Sequence, residues 1–441
     1  MTYEETTAWL AGLEVSSGWD LKLERMRAAV ARRGHPEARW PALHVAGTNG
    51  KGSAAAMLDA VLTAAGYRTG LYTSPHLIDF SERMRVGGRT IPHAAVVELV
   101  AELRADLEPA GIALTHFEFA TLIAFEWFTR VGIDVGVIEV GLGGRLDATN
   151  LVRPAATAIT SIAVDHVEYL GPDLASIAAE KAGIVKPGVP LAVGRLPAEA
   201  MRVVLARAAE VGAPVARVGV DARLEAGREG LAFSGLGLTW DRLRLGLGGA
   251  FQHDNAAVAL TTLALVRERF PCSSDAVREG LTRTRWPGRL AVIRERPLIL
   301  LDGAHNPAGA AALAAELPGV VGDRPLVLVF AVMGDKDWRA MLEPLLPRVK
   351  RVIVTRVSRR GADPGAVAAA LAPRVPAEAL EDARAALNAA VDRAEVDDAV
   401  LVTGSLFLVC EAYAVLGGRG GATELFQPWQ PPEADATEAG S

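Results

Sequence analysis

Between Gly47 and Ser53 the chain reads Gly-Thr-Asn-Gly-Lys-Gly-Ser, a composition suited to holding phosphate. Glycines let successive backbone N–H groups converge on one anion, Lys51 adds a mobile positive charge, and a following helix adds the partial charge of its N-terminus. Gly52 separates Lys51 from Ser53, so the run departs from the common G-x-x-x-x-G-K-[ST] pattern. The competing reading is an ordinary glycine-rich turn. Three further residues point to a cation beside that phosphate. Ser74 lies in Thr73-Ser74-Pro75-His76-Leu77, Glu139 closes the apolar run 135–138, and His166 follows Asp165. A carboxylate at the end of a buried strand is costly unless a cation neutralises it. Mg²⁺ prefers oxygen ligands, which makes the imidazole the least usual member of the set. Lys181 has two readings. It either complements the dipole at its helix's C-terminal end, or its deprotonated amine takes up carbon dioxide and becomes a carbamate, an oxygen ligand in place of a cation.

The second half of the chain repeats this logic. In Leu300-Leu301-Asp302-Gly303-Ala304-His305-Asn306-Pro307, Asp302 ends a predicted strand and Pro307 opens a predicted helix. Arg289 sits just upstream in the hinge-like Trp286-Pro287-Gly288-Arg289. Asp302 and Arg289 would face the glycine loop across a cleft that assembles on closure. Asp335-Lys336-Asp337 and Thr403-Gly404-Ser405 follow later strands, and each reads equally as a helix cap.

These residues need strand ends to carry them. Short β-branched runs alternate with Ala/Leu-rich helices, the pattern of a parallel α/β sheet. We expect strands at 43–46, 69–72, 135–140, 157–162 and 189–193, a helix at 53–65, hairpins over 218–247, and a helix at 252–268. After the hinge, strands at 298–301, 326–331, 352–357 and 400–403 alternate with helices at 307–316, 338–346, near 364–372, 382–394 and 406–416. The fold class is α/β: a P-loop-type, mostly parallel N-terminal ATPase domain over 1–287 and a smaller doubly wound, Rossmann-like C-terminal domain over 288–416. The Gly/Pro/Glu/Ala-rich tail 417–441 is expected to be disordered.

Composition narrows the function. With 46 basic and 52 acidic residues the net charge is −6, which offers no electrostatic footprint for nucleic acid or a membrane surface. Two cysteines, Cys272 and Cys410, sit in no paired motif, so neither a disulfide framework nor a structural zinc site is expected. No leader-like N-terminus or spanning apolar run is visible. We expect a cytoplasmic monomer acting on small molecules. Lysine is rare: Lys51, Lys181 and Lys336 are three of six, against forty arginines.

Taken together, these motifs resemble the folylpolyglutamate synthase and dihydrofolate synthase family, within the Mur ligase superfamily. GTNGKGS, TSPHL, Phe117-Glu118, EVGLGGRLDATN, DH, EKAGI, the hinge GR and LDGAHN occur in family order from about Leu43 to about Leu416. The resemblance implies an ATP-dependent ligase that joins L-glutamate to dihydropteroate or a reduced folate through an acyl phosphate. It implies ATP phosphates at Asn49, Gly50, Lys51, Gly52 and Ser53, and magnesium at Ser74, Glu139 and His166. Carbamylated Lys181 would support a second metal. Asn255 matches an adenine-side asparagine in Gln252-His253-Asp254-Asn255, and Arg289 and Asp302 would reach the nucleotide from the other domain. His305 and Ser405 would lie near the incoming glutamate, while Thr73, Phe117, Glu118, Arg145 and Asp147 fall in segments assigned to the pterin side. Lys51, Lys181 and His305 are the candidate catalytic groups. Compact bacterial-looking composition favours the bifunctional form over a monofunctional folylpolyglutamate synthase. Another Mur-type amino-acid ligase would carry an additional N-terminal domain, for which the stretch before Leu43 is short.

Overall fold

A computed structural model describes residues 1–17 and 22–417. The expected disordered tail therefore lies, but for Gly417, outside the described residues. Among the described residues seventeen strands form three sheets. The first holds β1 (Ala42–Ala46), β2 (Thr69–Tyr72), β3 (Met84–Val86), β4 (Arg89–Thr90), β5 (Val135–Glu139), β6 (Pro154–Ile159), β7 (Leu191–Val193) and β8 (Val215–Arg217). Their order is β4-β3-β2-β5-β1-β6-β7-β8, and β3 alone runs against the rest, pairing antiparallel with both β2 and β4.

Every residue of β1, β2 and β5 is buried. Both faces of these strands are covered, which is why they read as near-continuous apolar runs rather than alternating ones. On one side lie helices Lys51–Ala64, Phe251–Leu265 and Ser274–Arg283, whose core residues include Met57, Leu58, Leu260 and Val277. Helices His93–Leu107 and His116–Val131 pack with Leu10 and Met26 on the other. A small antiparallel sheet of β9 (Ala222–Gly227), β10 (Gly230–Gly235) and β11 (Leu238–Leu243) joins the first core through Phe233 and Trp240.

The last sheet orders β12 (Ala291–Glu295), β13 (Leu298–Leu301), β14 (Leu326–Phe330), β15 (Val349–Arg356), β16 (Ala377–Asp382) and β17 (Ala399–Thr403) as β12-β13-β17-β14-β15-β16, with β12 alone antiparallel. In the first sheet the chain moves one way from β1 to β2 and the other way from β6 to β8. Ligands gather beyond the carboxyl ends of strands at such a reversal. The loops after β1, β2, β5 and β6 all emerge there.

Several boundaries differ from expectation. β6 begins at Pro154 and ends at Ile159, three residues earlier than the run 157–162 suggested. Helix Pro307–Val321 continues beyond 316, and the segment 338–346 divides into helix Trp338–Leu342 and a 3₁₀ turn at Leu346–Arg348. Strands β3, β4, β8, β12 and β16 were not anticipated, and nor were the helices before Leu43 or helices His93–Leu107, His116–Val131, Ala198–Glu210 and Ser274–Arg283.

Candidate active site

The glycine loop bridges β1 and helix Lys51–Ala64. Gly50 adopts φ +84°, and a Cβ there would lie 2.8 Å from Cγ of Asn255, so glycine is required both by conformation and by space. The rest of the loop is strapped to the end of β6. Asn49 N–H donates to Ser161 Oγ at 2.9 Å, and the Asn49 carbonyl accepts from Thr160 Oγ1 at 2.7 Å and Ser161 Oγ at 2.9 Å. Asn255 Nδ2 donates to Gln252 Oε1 at 2.8 Å, and Gln252 Nε2 to Ser53 Oγ at 3.3 Å. The Q-x-x-N element thus braces the glycine loop from the helix that covers it.

Lys51 and Lys181 crowd one carbonyl. Lys51 Nζ donates to the Gly47 carbonyl at 3.1 Å and Lys181 Nζ to the same oxygen at 3.0 Å. Lys181 is buried, and burial followed by the nearby Lys51 charge pushes its pKa down to about 7. A large share of its amine is therefore unprotonated at neutral pH, the form that reacts with carbon dioxide.

Glu139 is buried at the end of β5 and accepts the Ser74 N–H at 3.1 Å. Burial raises its pKa, opposed by Lys51, the Ser74 N–H and Arg289. His166 is pushed down to about 4, chiefly by burial, which keeps its imidazole neutral as a metal ligand must be. Among the described residues no three His, Cys, Asp or Glu side chains converge as a ready-made metal cage. Ser74, Glu139 and His166 instead share one cavity, and that suits magnesium, which takes few protein ligands and completes its shell with phosphate oxygens and water. The residues fit the ion: an incompletely neutralised buried carboxylate, a hydroxyl and a neutral imidazole.

That cavity, of about 860 Å³, is lined from both halves of the chain. Asp302 accepts the backbone N–H groups of Leu290 and Ala304, each at 2.8 Å, with Arg289 alongside. His305 Nδ1 lies 2.9 Å from the Gly303 carbonyl, which makes Nδ1 the donor and leaves Nε2 as acceptor. Ser405 Oγ caps helix Leu406–Leu416 through Phe407 N–H at 3.2 Å. Phe117 packs against Gly141, and Asp147 accepts Leu142 N–H at 2.8 Å; both line the cavity.

Not every anticipated residue reaches it. Thr73 is buried behind the lining, its N–H donating to the Arg83 carbonyl at 3.0 Å. Arg145 lies outside the lining and pairs with Glu180 at 2.8 Å, because Glu180 sits on the neighbouring helix Leu174–Ala182. Glu118 does line the cavity, but its carboxylate is occupied: it accepts Thr115 N–H at 2.8 Å in a capping box and binds Arg25 Nε at 3.1 Å and Nη2 at 3.2 Å.

Sequence reasoning missed the connection across the cleft. Asn49 and Asn306 exchange amide hydrogen bonds at 3.1 and 3.0 Å, and Asn306 Nδ2 also reaches Asp165 Oδ2 at 2.9 Å. Lys336 Nζ lies 2.7 Å from Asp165 Oδ1, with both side chains at least nine-tenths buried. Asp165 accordingly sits well below the usual carboxylate range: His166, His305 and Lys336 outweigh its burial, the largest single influence. Two sequence signals pointed to Lys336, the scarcity of lysine and the place of Asp335-Lys336-Asp337 after a predicted strand, but neither named its partner Asp165.

Two family models cover most of this architecture: the Mur ligase middle domain matches residues 45–263 and the Mur ligase glutamate ligase domain residues 288–406. A dihydrofolate synthase/folylpolyglutamate synthase of Mycobacterium tuberculosis is 37% identical over 440 residues, spanning 90% of each chain. The chain belongs to the folylpolyglutamate synthase/dihydrofolate synthase family of Mur ligases. A family relative from Yersinia pestis, a bifunctional enzyme solved with AMPPNP and a Mn ion, superposes with a TM-score of 0.84 at 36% identity over 93% of this chain and 98% of that one. The chain also matches a probable bifunctional folylpolyglutamate synthase/dihydropteroate synthase of Haloferax volcanii at 38% identity, covering 93% of this chain but only half the length of that larger protein. Among the described residues no helix is long and apolar enough to cross a membrane.

Proposed function

We propose that this protein performs both reactions of its family, adding L-glutamate to dihydropteroate and to reduced folates, as a cytoplasmic monomer with its domains divided near residue 287. The reaction is ATP-dependent acid–amino-acid ligation and uses a divalent cation. One observation carries the reading: a phosphate loop, the buried Glu139 carboxylate, the half-buried His166 imidazole and a depressed-pKa lysine share one cavity with Asp302, His305 and Ser405 from the other sheet.

In the proposed sequence a substrate carboxylate oxygen attacks the γ-phosphorus of ATP, and ADP leaves. The amine of glutamate then attacks the resulting acyl phosphate through a tetrahedral intermediate, and inorganic phosphate departs. Such chemistry depends on positioning and charge neutralisation. Gly50, Lys51, Gly52 and Ser53 hold the phosphates by backbone N–H groups, Asn49 sets the loop beside them by giving its own N–H to Ser161, and Lys51 neutralises charge as it moves between oxygens. Ser74, Glu139 and His166 would hold magnesium, which supplies charge neutralisation at the phosphates. Lys181, as a carbamate, would present oxygens to a second metal and convert its contact with Lys51 from repulsion to attraction. Asn255, Arg289 and Asp302 contact the nucleotide, His305 and Ser405 orient glutamate, and Phe117 with Asp147 form the pteroyl side. Thr73, Glu118 and Arg145 act at one remove, by supporting the segments beside them.

Parallel assays of ADP release with dihydropteroate and with tetrahydrofolate, each with and without glutamate, test the proposal. Turnover with both acceptors is expected. Turnover with tetrahydrofolate alone would identify a monofunctional folylpolyglutamate synthase.

A further inference from the structure

We propose that His44, a residue of β1 sealed from the cavity, is a positioning residue for the substrate-side loop 141–150, acting as a neutral Nε2–H donor to Thr149 and through it on Asp147. The inference rests on the reading of Asp147 as part of the pteroyl-side wall.

His44 is fully buried in a strand whose neighbours Leu43 and Val45 are apolar. Its Nε2 lies 2.9 Å from Thr149 Oγ1, while its Nδ1 is buried with no hydrogen-bond partner. A polar ring with an unsatisfied nitrogen carries a cost that leucine at the same place would avoid. The retained contact therefore needs a use.

Hydrogen-bond bookkeeping gives its direction. The Thr149 hydroxyl also contacts Asp147 Oδ1. Asp147 already accepts Thr149 N–H at 3.0 Å on Oδ1 and Leu142 N–H at 2.8 Å on Oδ2, donors that favour the charged, acceptor-only carboxylate against the burial that raises its pKa. A hydroxyl has one proton to give. Thr149 gives it to Asp147, so the Thr149 oxygen must accept from His44, which fixes the Nε2–H tautomer and leaves Nδ1 bare. Burial and the nearby Lys186 charge both oppose an imidazolium there.

The consequence is mechanical. Asp147 ties Leu142 at one end of its loop to Thr149 at the other, and Phe117 packs on Gly141 at the loop's start. Lys186 fixes the far end, donating to the Asn150 carbonyl at 3.0 Å and to its Oδ1 at 2.6 Å. β1 runs straight into the phosphate loop at Gly47. His44 therefore links the strand that sets the phosphate loop to the loop facing the acceptor, and holds the two reacting partners in register.

The test combines ¹⁵N NMR of the wild-type imidazole with four variants. In His44→Gln the amide nitrogen stands as many bonds from Cβ as Nε2 does and can still donate; His44→Leu keeps bulk without a donor; Thr149→Val cuts the relay; Asp147→Asn tests the wall itself. We expect an Nε2-protonated neutral ring. His44→Leu and Thr149→Val should each raise KM for the pteroyl substrate ~10-fold with KM for ATP within about twofold, and His44→Gln should stay within about twofold of wild type on both. The double variant His44→Leu/Thr149→Val should be no worse than either single one. An Nδ1–H ring or an imidazolium overturns the proposal, as does a His44→Gln loss equal to that of His44→Leu, or equal rises in both KM values. If His44→Leu does not fold, Thr149→Val and the NMR tautomer decide. An unchanged pteroyl KM in Asp147→Asn removes the substrate-side reading and the proposal with it. A raised KM in Asp147→Asn beside wild-type behaviour in Thr149→Val and His44→Leu overturns the relay alone.

Discussion

Burial lowers the pKa of two basic residues, and the consequence of each shift can be measured. Lys181 is brought down to about 7, so near neutral pH its amine is available to carbon dioxide. ¹³C NMR of protein equilibrated with labelled bicarbonate should show a carbamate resonance that disappears in Lys181→Arg; its absence from wild type would leave Lys181 a bare ammonium and remove the oxygen ligand. His44 is brought down to about 3. The folded state keeps it neutral while the unfolded chain binds a proton below about 6.5, so the stabilisation from this residue is present above that pH and is lost as pH falls. Linkage predicts about 2 kcal/mol less stability at pH 5 than at pH 7.5 from this one group, a slope that His44→Gln should abolish in denaturant titrations. Lys51 differs again, since its two partners are carbonyls of its own loop. Lys51→Ala should lower kcat at least ~10³-fold with an unchanged melting temperature, as expected for a group whose work is charge neutralisation in the transition state. A rate near wild type would mean the phosphate loop has been misassigned.

At the scale of elements, the sequence pattern was most legible where strands are buried on both faces. Thr69–Tyr72 and Leu298–Leu301 have the expected bounds: the first starts directly after the charged Arg68, and the second is an unbroken apolar run between Pro297 and Asp302. The shift of β6 has a specific cause. Thr160 and Ser161 have β-compatible side chains, but their hydroxyls turn to bind the Asn49 carbonyl, so the strand leaves the sheet to brace the phosphate loop. Edge strands β4 and β16 were hidden because partly exposed, polar strands lose the apolar signal. In the site, local motifs were readable one by one, whereas the Asn49–Asn306–Asp165–Lys336 chain joins residues far apart in sequence and exists only in the tertiary structure. Asn306 has two duties. Its Oδ1 caps helix Pro307–Val321 through Gly309 N–H at 2.8 Å while also accepting Asn49 Nδ2 at 3.1 Å, and its Nδ2 reaches across the cleft to Asp165. Asn306→Asp keeps the cap but sets a second carboxylate against Asp165, so it should cost activity with little loss of stability. Asn306→Ala should cost activity and also about 1 kcal/mol of stability in thermal melts. Equal stability loss in the two variants would contradict this division.

For the whole molecule, the two sheets meet around one cavity, and the buried Lys336–Asp165 ion pair joins the segments that follow them. Removing one partner of such a pair strands the other charge, at a cost of roughly 3–5 kcal/mol that opening the cleft relieves. Lys336→Met should therefore expand the protein in small-angle scattering and lower kcat, with far-ultraviolet circular dichroism unchanged; wild-type dimensions would show that other contacts hold the closed form. Closure matters because it brings the groups around His305, which follow a strand of the last sheet, to the phosphate loop and the acceptor loop of the first. The chemistry proposed for that cavity has a direct isotopic signature. With dihydropteroate, and separately tetrahydrofolate, labelled with ¹⁸O in the reacting carboxylate, transfer of that oxygen to phosphorus must accompany amide formation. The account predicts one labelled oxygen in the released inorganic phosphate for each glutamate added; unlabelled phosphate, or label recovered in AMP, would contradict it.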